Sequence, residues 1–226
     1  MHKPEKHLLR LLMVLATIFV GACNDSDTEQ PPETPYIYAA MGASDAIGYG
    51  ALPPTQGYVY LIGDRIEELR PGAQVRNFGT ADARIDDFIN VELPQTIAVN
   101  PDLVTIWTGG NDIWAGTDPG SFEAGLRTLL HELRTHTHAM VFIGDLPDLT
   151  KAPVFLSNPS SQVTSDRIAD FNFRIAAVAA ETGCVLVRLS EMPVNPTLFA
   201  SDGFHPNNDG YRLMADYFLA EIEPRL

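Results

Sequence analysis

The chain has 226 residues, 45% of them apolar and 19% charged, with a formal net charge of −14 at neutral pH. That length and composition suit one globular domain with a sizeable core and a short additional segment. The acidic balance repels phosphate backbones and anionic surfaces, which excludes nucleic acid as a partner.

Residues 1–22 read as a targeting segment. His2, Lys3, Lys6, His7 and Arg10 make a basic start, and residues 11–22 form an uncharged run of twelve, too short for an ordinary membrane-spanning helix. The run closes on Val20-Gly21-Ala22-Cys23. Small residues suit a signal peptidase, and a cysteine directly behind them resembles the lipobox of bacterial lipoproteins, whose cysteine is acylated and becomes the new N-terminus. The expected organisation is a lipoprotein signal peptide over 1–22, an acylated Cys23 leading an acidic, proline-rich tether over 23–35, and a domain over 36–226. The protein would then be exported and held in the cell envelope by its lipid. A simple secretory signal with a chance cysteine is the alternative, and Asn24 leaves inner against outer membrane open. Cleavage removes Lys3, Glu5, Lys6 and Arg10, leaving twelve basic against twenty-eight acidic residues, a formal charge of −16. Cys184, in the apolar run Cys184-Val185-Leu186-Val187, reads as a small buried hydrophobe.

From Tyr36 onward, short apolar runs alternate with amphipathic ones. Strands are predicted over 36–41, 74–78, 103–108, 140–144 and 185–189. Helices are predicted over 58–69, 86–99 (broken near Pro94), 121–135, 165–182 and 208–223. Tyr58, Leu61, Ile62, Ile66 and Leu69 recur at helical spacing, as do Leu126, Leu129, Leu130 and Leu133. Pro71-Gly72 and Thr182-Gly183 punctuate helix ends. Strand–helix alternation of this kind implies α/β: a parallel sheet covered by helices on both faces. Residues 151–162, with two prolines and no period, read as a long loop, and Ala152, Val154, Phe155 and Leu156 in it could line an apolar wall.

Ligands of open parallel sheets sit outside the carboxyl ends of the strands. Behind the first strand stands Gly42-Ala43-Ser44-Asp45, behind the second Asn77-Phe78-Gly79, behind the third Gly109-Gly110-Asn111-Asp112, and beyond the fifth Asp202-Gly203-Phe204-His205-Pro206. A serine on a sharp strand-to-helix turn is accessible and has backbone N–H groups nearby, which suits a nucleophile. A glycine at 79 avoids crowding the serine and can turn its N–H into the site. Gly109 and Gly110 allow a tight turn that aims the neutral Asn111 amide at a developing oxyanion. Asp202 and His205 are three apart, so the carboxylate can hold one ring nitrogen while the other faces the serine; Pro206 would then fix the start of the last helix. Read singly, each is ordinary: a turn, a strand-end glycine, an Asx cap, a capping aspartate beside an exposed histidine.

Taken together, the four blocks resemble the SGNH hydrolases, the GDSL esterase/lipase superfamily, in order and placement across residues 36–226. Ala43 departs from the acid common before the serine. The resemblance implies a flavodoxin-like α/β/α three-layer sandwich with about five parallel strands and a serine esterase without metal or other cofactor. In it Ser44 is the nucleophile, His205 the base, Asp202 its orienter, and the Ser44 N–H, Gly79 N–H and Asn111 side chain form the oxyanion hole. Lipid-like or short-chain esters would be its substrates, and the membrane a partner through the anchor.

Other readings compete. An α/β-hydrolase nucleophile needs Gly-x-Ser-x-Gly, and Ala46 breaks it. His131, His136 and His138 cluster, but without a zinc spacing, and read as solvated. Acyl transfer or deacetylation on a glycan stays open, as does a non-catalytic envelope binder, against which the joint presence of Ser44, Asn111, Asp202 and His205 argues. Trp107, Trp114 and Phe204 could contact an acyl chain or serve the core.

Overall fold

The structure, a computed structural model, describes residues 35–226. The expected signal peptide, Cys23 and the tether up to residue 34 lie outside the described residues.

Five strands, β1 (Ile37–Gly42), β2 (Gln74–Asn77), β3 (Leu103–Trp107), β4 (Met140–Gly144) and β5 (Val185–Val187), form one sheet in the order β2-β1-β3-β4-β5. Every pairing is parallel. This is the flavodoxin-like order, whose topological switch point lies between β1 and β3. Gly42 stands opposite Trp107, and Trp107 opposite Gly144, so the three central strands end level with one another.

In chain order the helices are α1 (Ser44–Ile47), α2 (Tyr58–Leu69), α3 (Ile85–Asp87), α4 (Leu93–Ala98), α5 (Gly110–Ala115), α6 (Pro119–His136), α7 (Pro153–Ser157), α8 (Ser165–Thr182) and α9 (Asn208–Ile222). The sheet alternates side chains between two faces, and each face buries its own set. On one, Tyr38, Ala40 and Phe142 pack with Tyr58 and Ile62 of α2 and Tyr211 and Phe218 of α9. On the other, Met41, Val104 and Ile106 pack with Leu126 and Leu130 of α6 and Phe171 and Ile175 of α8. The result is the expected three-layer α/β/α sandwich.

Local chemistry shifts several boundaries. Asp118 accepts the Ser121 N–H at 2.9 Å and starts α6 two residues earlier than its apolar spacing suggests. Between α3 and α4 the chain widens into a π-turn over Phe88–Glu92, in which the Leu93 N–H reaches back five residues to the Phe88 carbonyl. Pro94 has no N–H to close an ordinary turn on Asn90, and it sits instead in the first turn of α4. Residues 151–162 are not wholly loop: Pro153 opens the short α7, with Ala152 and Phe155 buried and Leu156 turned to solvent. Cys184 is half-buried against the α6–α8 side and accepts a hydrogen bond from the Thr182 hydroxyl.

Candidate active site

Ser44 is the first residue of α1 and follows β1 by one residue, Ala43. A Cβ on Gly42 would lie 2.6 Å from the Ala46 Cβ, so glycine is what lets α1 fold back so tightly on the strand. Ser44 is only 3% exposed, and its N–H, at the helix start, has no partner within the helix. Ala43 is buried and lines the cleft beside it.

His205 arrives from the far end of the chain. Its Nε2 stands 2.8 Å from Ser44 Oγ, and its Nδ1 stands 2.6 Å from Asp202 Oδ2. With Nδ1 protonated and donating to the carboxylate, Nε2 is left to accept the serine hydroxyl. Asp202 Oδ1 accepts the Phe204 and His205 N–H groups at 2.9 and 3.0 Å, so one carboxylate fixes both the turn and the ring. Partial burial pushes Asp202 upward, but the bonds from the His205 ring and the two amides outweigh it and hold the carboxyl below its ordinary value. Pro206 does not open the last helix: it forms an antiparallel bridge with Phe199, and Asn207 caps α9 by accepting the Asp209 and Gly210 N–H groups. The imidazole is flanked edge-on by Phe204 at 5.0 Å and Tyr49 at 5.7 Å.

Asn111 lies in the first turn of α5, behind Gly109 at φ 103°, a left-handed conformation that favours glycine. Its Nδ2 donates to the Ala83 carbonyl at 3.1 Å, leaving a second amide hydrogen. Asn111 lines the same cleft as Ala43, Asp45, Thr108 and Phe204. Behind it, buried Asp112 accepts the Ile85 N–H at 3.2 Å and ties the same turn down; burial raises its carboxyl to about 6.

Gly79 sits beside Ala43: a Cβ there would lie 2.8 Å from the Ala46 Cβ and 3.2 Å from the Ala43 carbonyl oxygen. The glycine therefore prevents a clash with the residues flanking the serine. Its N–H, expected to face the site freely, donates to Asn77 Oδ1 at 3.0 Å in an Asx turn. The Asn77 Nδ2 donates in turn to the Ala46 carbonyl at 2.6 Å, joining the end of β2 to α1.

Sequence reasoning passed over Asn77, Asp45, Tyr49 and Glu92. Asp45 directly follows Ser44; enclosure raises its carboxyl to about 6 against the opposing pull of His205. Its place beside the serine was the one available signal. Glu92, fully buried, accepts the Gly42 N–H at 3.0 Å.

Of the four residues expected to form an apolar wall, only Phe155 joins the aromatic cluster beside the site, and Leu156 faces solvent. Trp114, Phe155 and Phe204 interlock with ring centroids 4.9 to 5.9 Å apart, next to His205. Behind Phe204, Trp107 and Leu149 an apolar pocket continues between Leu189, Met192 and Met214. His131, His136 and His138 are exposed and pair with Glu132 or Asp102, away from this cleft. Among the described residues no three His, Cys, Asp or Glu side chains group as metal ligands.

Comparison with known proteins agrees with this architecture. The model of the GDSL-like Lipase/Acylhydrolase family matches residues 40–213. The chain is 31% identical over 128 residues to a multidomain esterase of Ruminococcus flavefaciens, a match covering 55% of this chain and 16% of that protein's length. Its fold is similar to the crystal structure of TesA, with a TM-score of 0.69 and 24% identity over 84% of this chain and 99% of the other. It is also similar to Axe2, an acetylxylan esterase from Geobacillus stearothermophilus, with a TM-score of 0.67 and 22% identity over 83% of this chain and 94% of the other.

Proposed function

The chain belongs to the GDSL-like lipase/acylhydrolase family, and from that premise we propose that it is a serine ester hydrolase working through an acyl-enzyme. The observation that carries this reading is the unbroken chain of hydrogen bonds Asp202–His205–Ser44, 2.6 and 2.8 Å long, at the switch point of the sheet. Ser44 Oγ attacks the ester carbonyl while His205 Nε2 takes its proton. The negative charge that forms on the carbonyl oxygen is met by the Ser44 N–H, the free Asn111 amide hydrogen and the Gly79 N–H, which shares or exchanges its bond to Asn77. His205 gives the proton to the departing alcohol oxygen. It then takes a proton from water, whose oxygen attacks the acyl-enzyme, and returns it to Ser44. Asp202 keeps the ring in the right tautomer and offsets its transient positive charge. No step calls for a metal or other cofactor.

For the acyl side, the apolar pocket behind Phe204 supports an aliphatic chain. A second reading, removal of acetyl groups from a glycan, is favoured by Trp114, a flat ring 43% exposed at the rim, and by the likeness to an acetylxylan esterase. The domain is read as exported and tethered to a membrane through an acylated Cys23, which rests on the residue pattern before Cys23; mass spectrometry of the membrane fraction, with Cys23→Ser as control, tests it. The activity test is hydrolysis of p-nitrophenyl esters from acetyl to palmitoyl by wild type and Ser44→Ala. Turnover should fall at least about 1000-fold in the variant. A preference for longer chains supports the pocket as acyl site, a peak at acetyl supports the glycan reading, and undiminished turnover by Ser44→Ala would sink the mechanism.

A further inference from the structure

Past the last paired residues of β1 and β2, two backbone bonds still join the end of β1 to the 79–80 turn. The Phe78 N–H still pairs with the Ala40 carbonyl and the Thr80 N–H with the Gly42 carbonyl. The Gly42 N–H, however, has run past the last paired residue of β2, Asn77, which stands opposite Ala40. A buried amide without an acceptor is costly. The acceptor here is a side chain: Glu92 Oε2, 3.0 Å away, takes the place the next strand would have filled. Glu92 is delivered by the π-turn, is fully buried, and has Thr80 beside its carboxyl. Its other oxygen, Oε1, has no partner, and neither has the Tyr58 hydroxyl, which would lie 3.2 Å from a Cβ on Gly42.

We propose that Glu92 is a positioning residue of the hydrolytic site, holding Gly42 and through it the Ser44 and Gly79 backbone groups that face the oxyanion. The inference rests on the serine-hydrolase reading above. Ser44 lies two residues beyond Gly42, and Gly79 one residue before Thr80, whose N–H is bound to the Gly42 carbonyl; both donors thus hang from the one node that Glu92 anchors. Glu92 does this as a neutral acid, since burial raises it to about 8, against the opposing pull of the Gly42 N–H and the neighbouring Thr80. The titratable groups facing it among the described residues are Tyr58 of α2 and Asp87 of α3; neither offers a positive charge.

The test compares wild type, Glu92→Leu and Glu92→Gln on whichever p-nitrophenyl ester wild type turns over best, with Ser44→Ala alongside. Oxyanion stabilisation belongs to the transition state, so Glu92→Leu should lower kcat at pH 7 by roughly 10-fold or more with KM little changed. Glu92→Gln, which can still accept the Gly42 N–H, should restore most of that loss. In wild type kcat should decline as pH rises through about 8, where Glu92 gains a buried, unpaired charge, and Glu92→Gln should lack that decline. A kcat for Glu92→Leu within twofold of wild type overturns the proposal, as does the same alkaline decline in Glu92→Gln. If Glu92→Leu does not fold, the rescue and the pH profile of Glu92→Gln decide alone. Failure of the hydrolase reading would register separately, as activity surviving Ser44→Ala.

Discussion

The two halves of the site are held in different ways. The serine half is fastened from within: Ser44 is 3% exposed, Gly42 is bound to buried Glu92, and Asn77 links Gly79 to α1. The histidine half is fastened from the surface. The side chain of Asp202 is 48% exposed, and the turn it controls is tied down by the bridge of Phe199 to Pro206 and by the Val154 N–H on the Gly203 carbonyl. In the proposed mechanism, nucleophile and oxyanion donors must keep sub-ångström relations to one another, and the core supplies that rigidity. The base has only to reach one oxygen and keep its tautomer, and a local turn suffices.

The sharpest way to break this comparison is Asp202→Asn. The amide cannot enforce the tautomer that leaves Nε2 as acceptor, so turnover should fall roughly 100- to 10,000-fold. The melting temperature should stay close to that of wild type, because a half-exposed ion pair contributes little to stability. Parallel kinetic and thermal measurements decide; a large thermal loss would mean that the histidine half is also part of the core. Asn111→Ala comes next. It removes one oxyanion donor and should lower kcat about 100- to 1000-fold with KM nearly unchanged. The lost bond to the Ala83 carbonyl adds about 1 kcal/mol of destabilisation, readable by denaturant titration. Asn77→Ala should behave in the opposite proportion. It breaks two half-buried connections of the serine half, so stability should drop by roughly 1–3 kcal/mol while kcat falls only about tenfold. Equal thermal penalties for Asp202→Asn and Asn77→Ala would erase the distinction between the halves.

What could be read from the residues follows the same division. The sheet, its layers and the four blocks were legible because each depends on local signals: apolar runs, helical spacing, and small or polar residues at strand ends. The Asp202–His205 pair was legible from its three-residue spacing once the other three blocks stood beside it. The inner fastenings were not. Glu92 sits among Val91, Leu93 and Pro94, where nothing separates it from a solvent-facing glutamate; only the π-turn at Pro94 turns it inward. Asn77 looks like a strand-end residue until α1 folds against it. Position 79 could be read as a glycine needed for space; the bond from its N–H to Asn77 is a local Asx turn, one of several backbone conformations open to Asn77-Phe78-Gly79. The helix at 153–157 was hidden by the two prolines around it, one of which starts it.

The pH dependence of stability separates the halves by sign. Asp202 is held below its ordinary value in the folded protein, so its contribution to stability is complete above the unfolded value near 3.9 and is lost as pH falls through the folded one. Glu92 is held at about 8 against an ordinary 4.5, so the folded protein keeps a proton that the unfolded chain releases. Its contribution is complete below about 4.5 and is lost as pH rises through about 8. Wild type should therefore exceed Asp202→Asn in melting temperature by a small margin at pH 6 that shrinks as pH falls below about 4. Glu92→Gln should gain on wild type as pH rises from 5 to 9, by on the order of 1–4 kcal/mol, since the amide carries no charge to bury. Melting curves at four or five pH values measure both. A Glu92→Gln difference that stays flat across that range would place Glu92 in contact with solvent, and the serine half would then be held no more deeply than the histidine half.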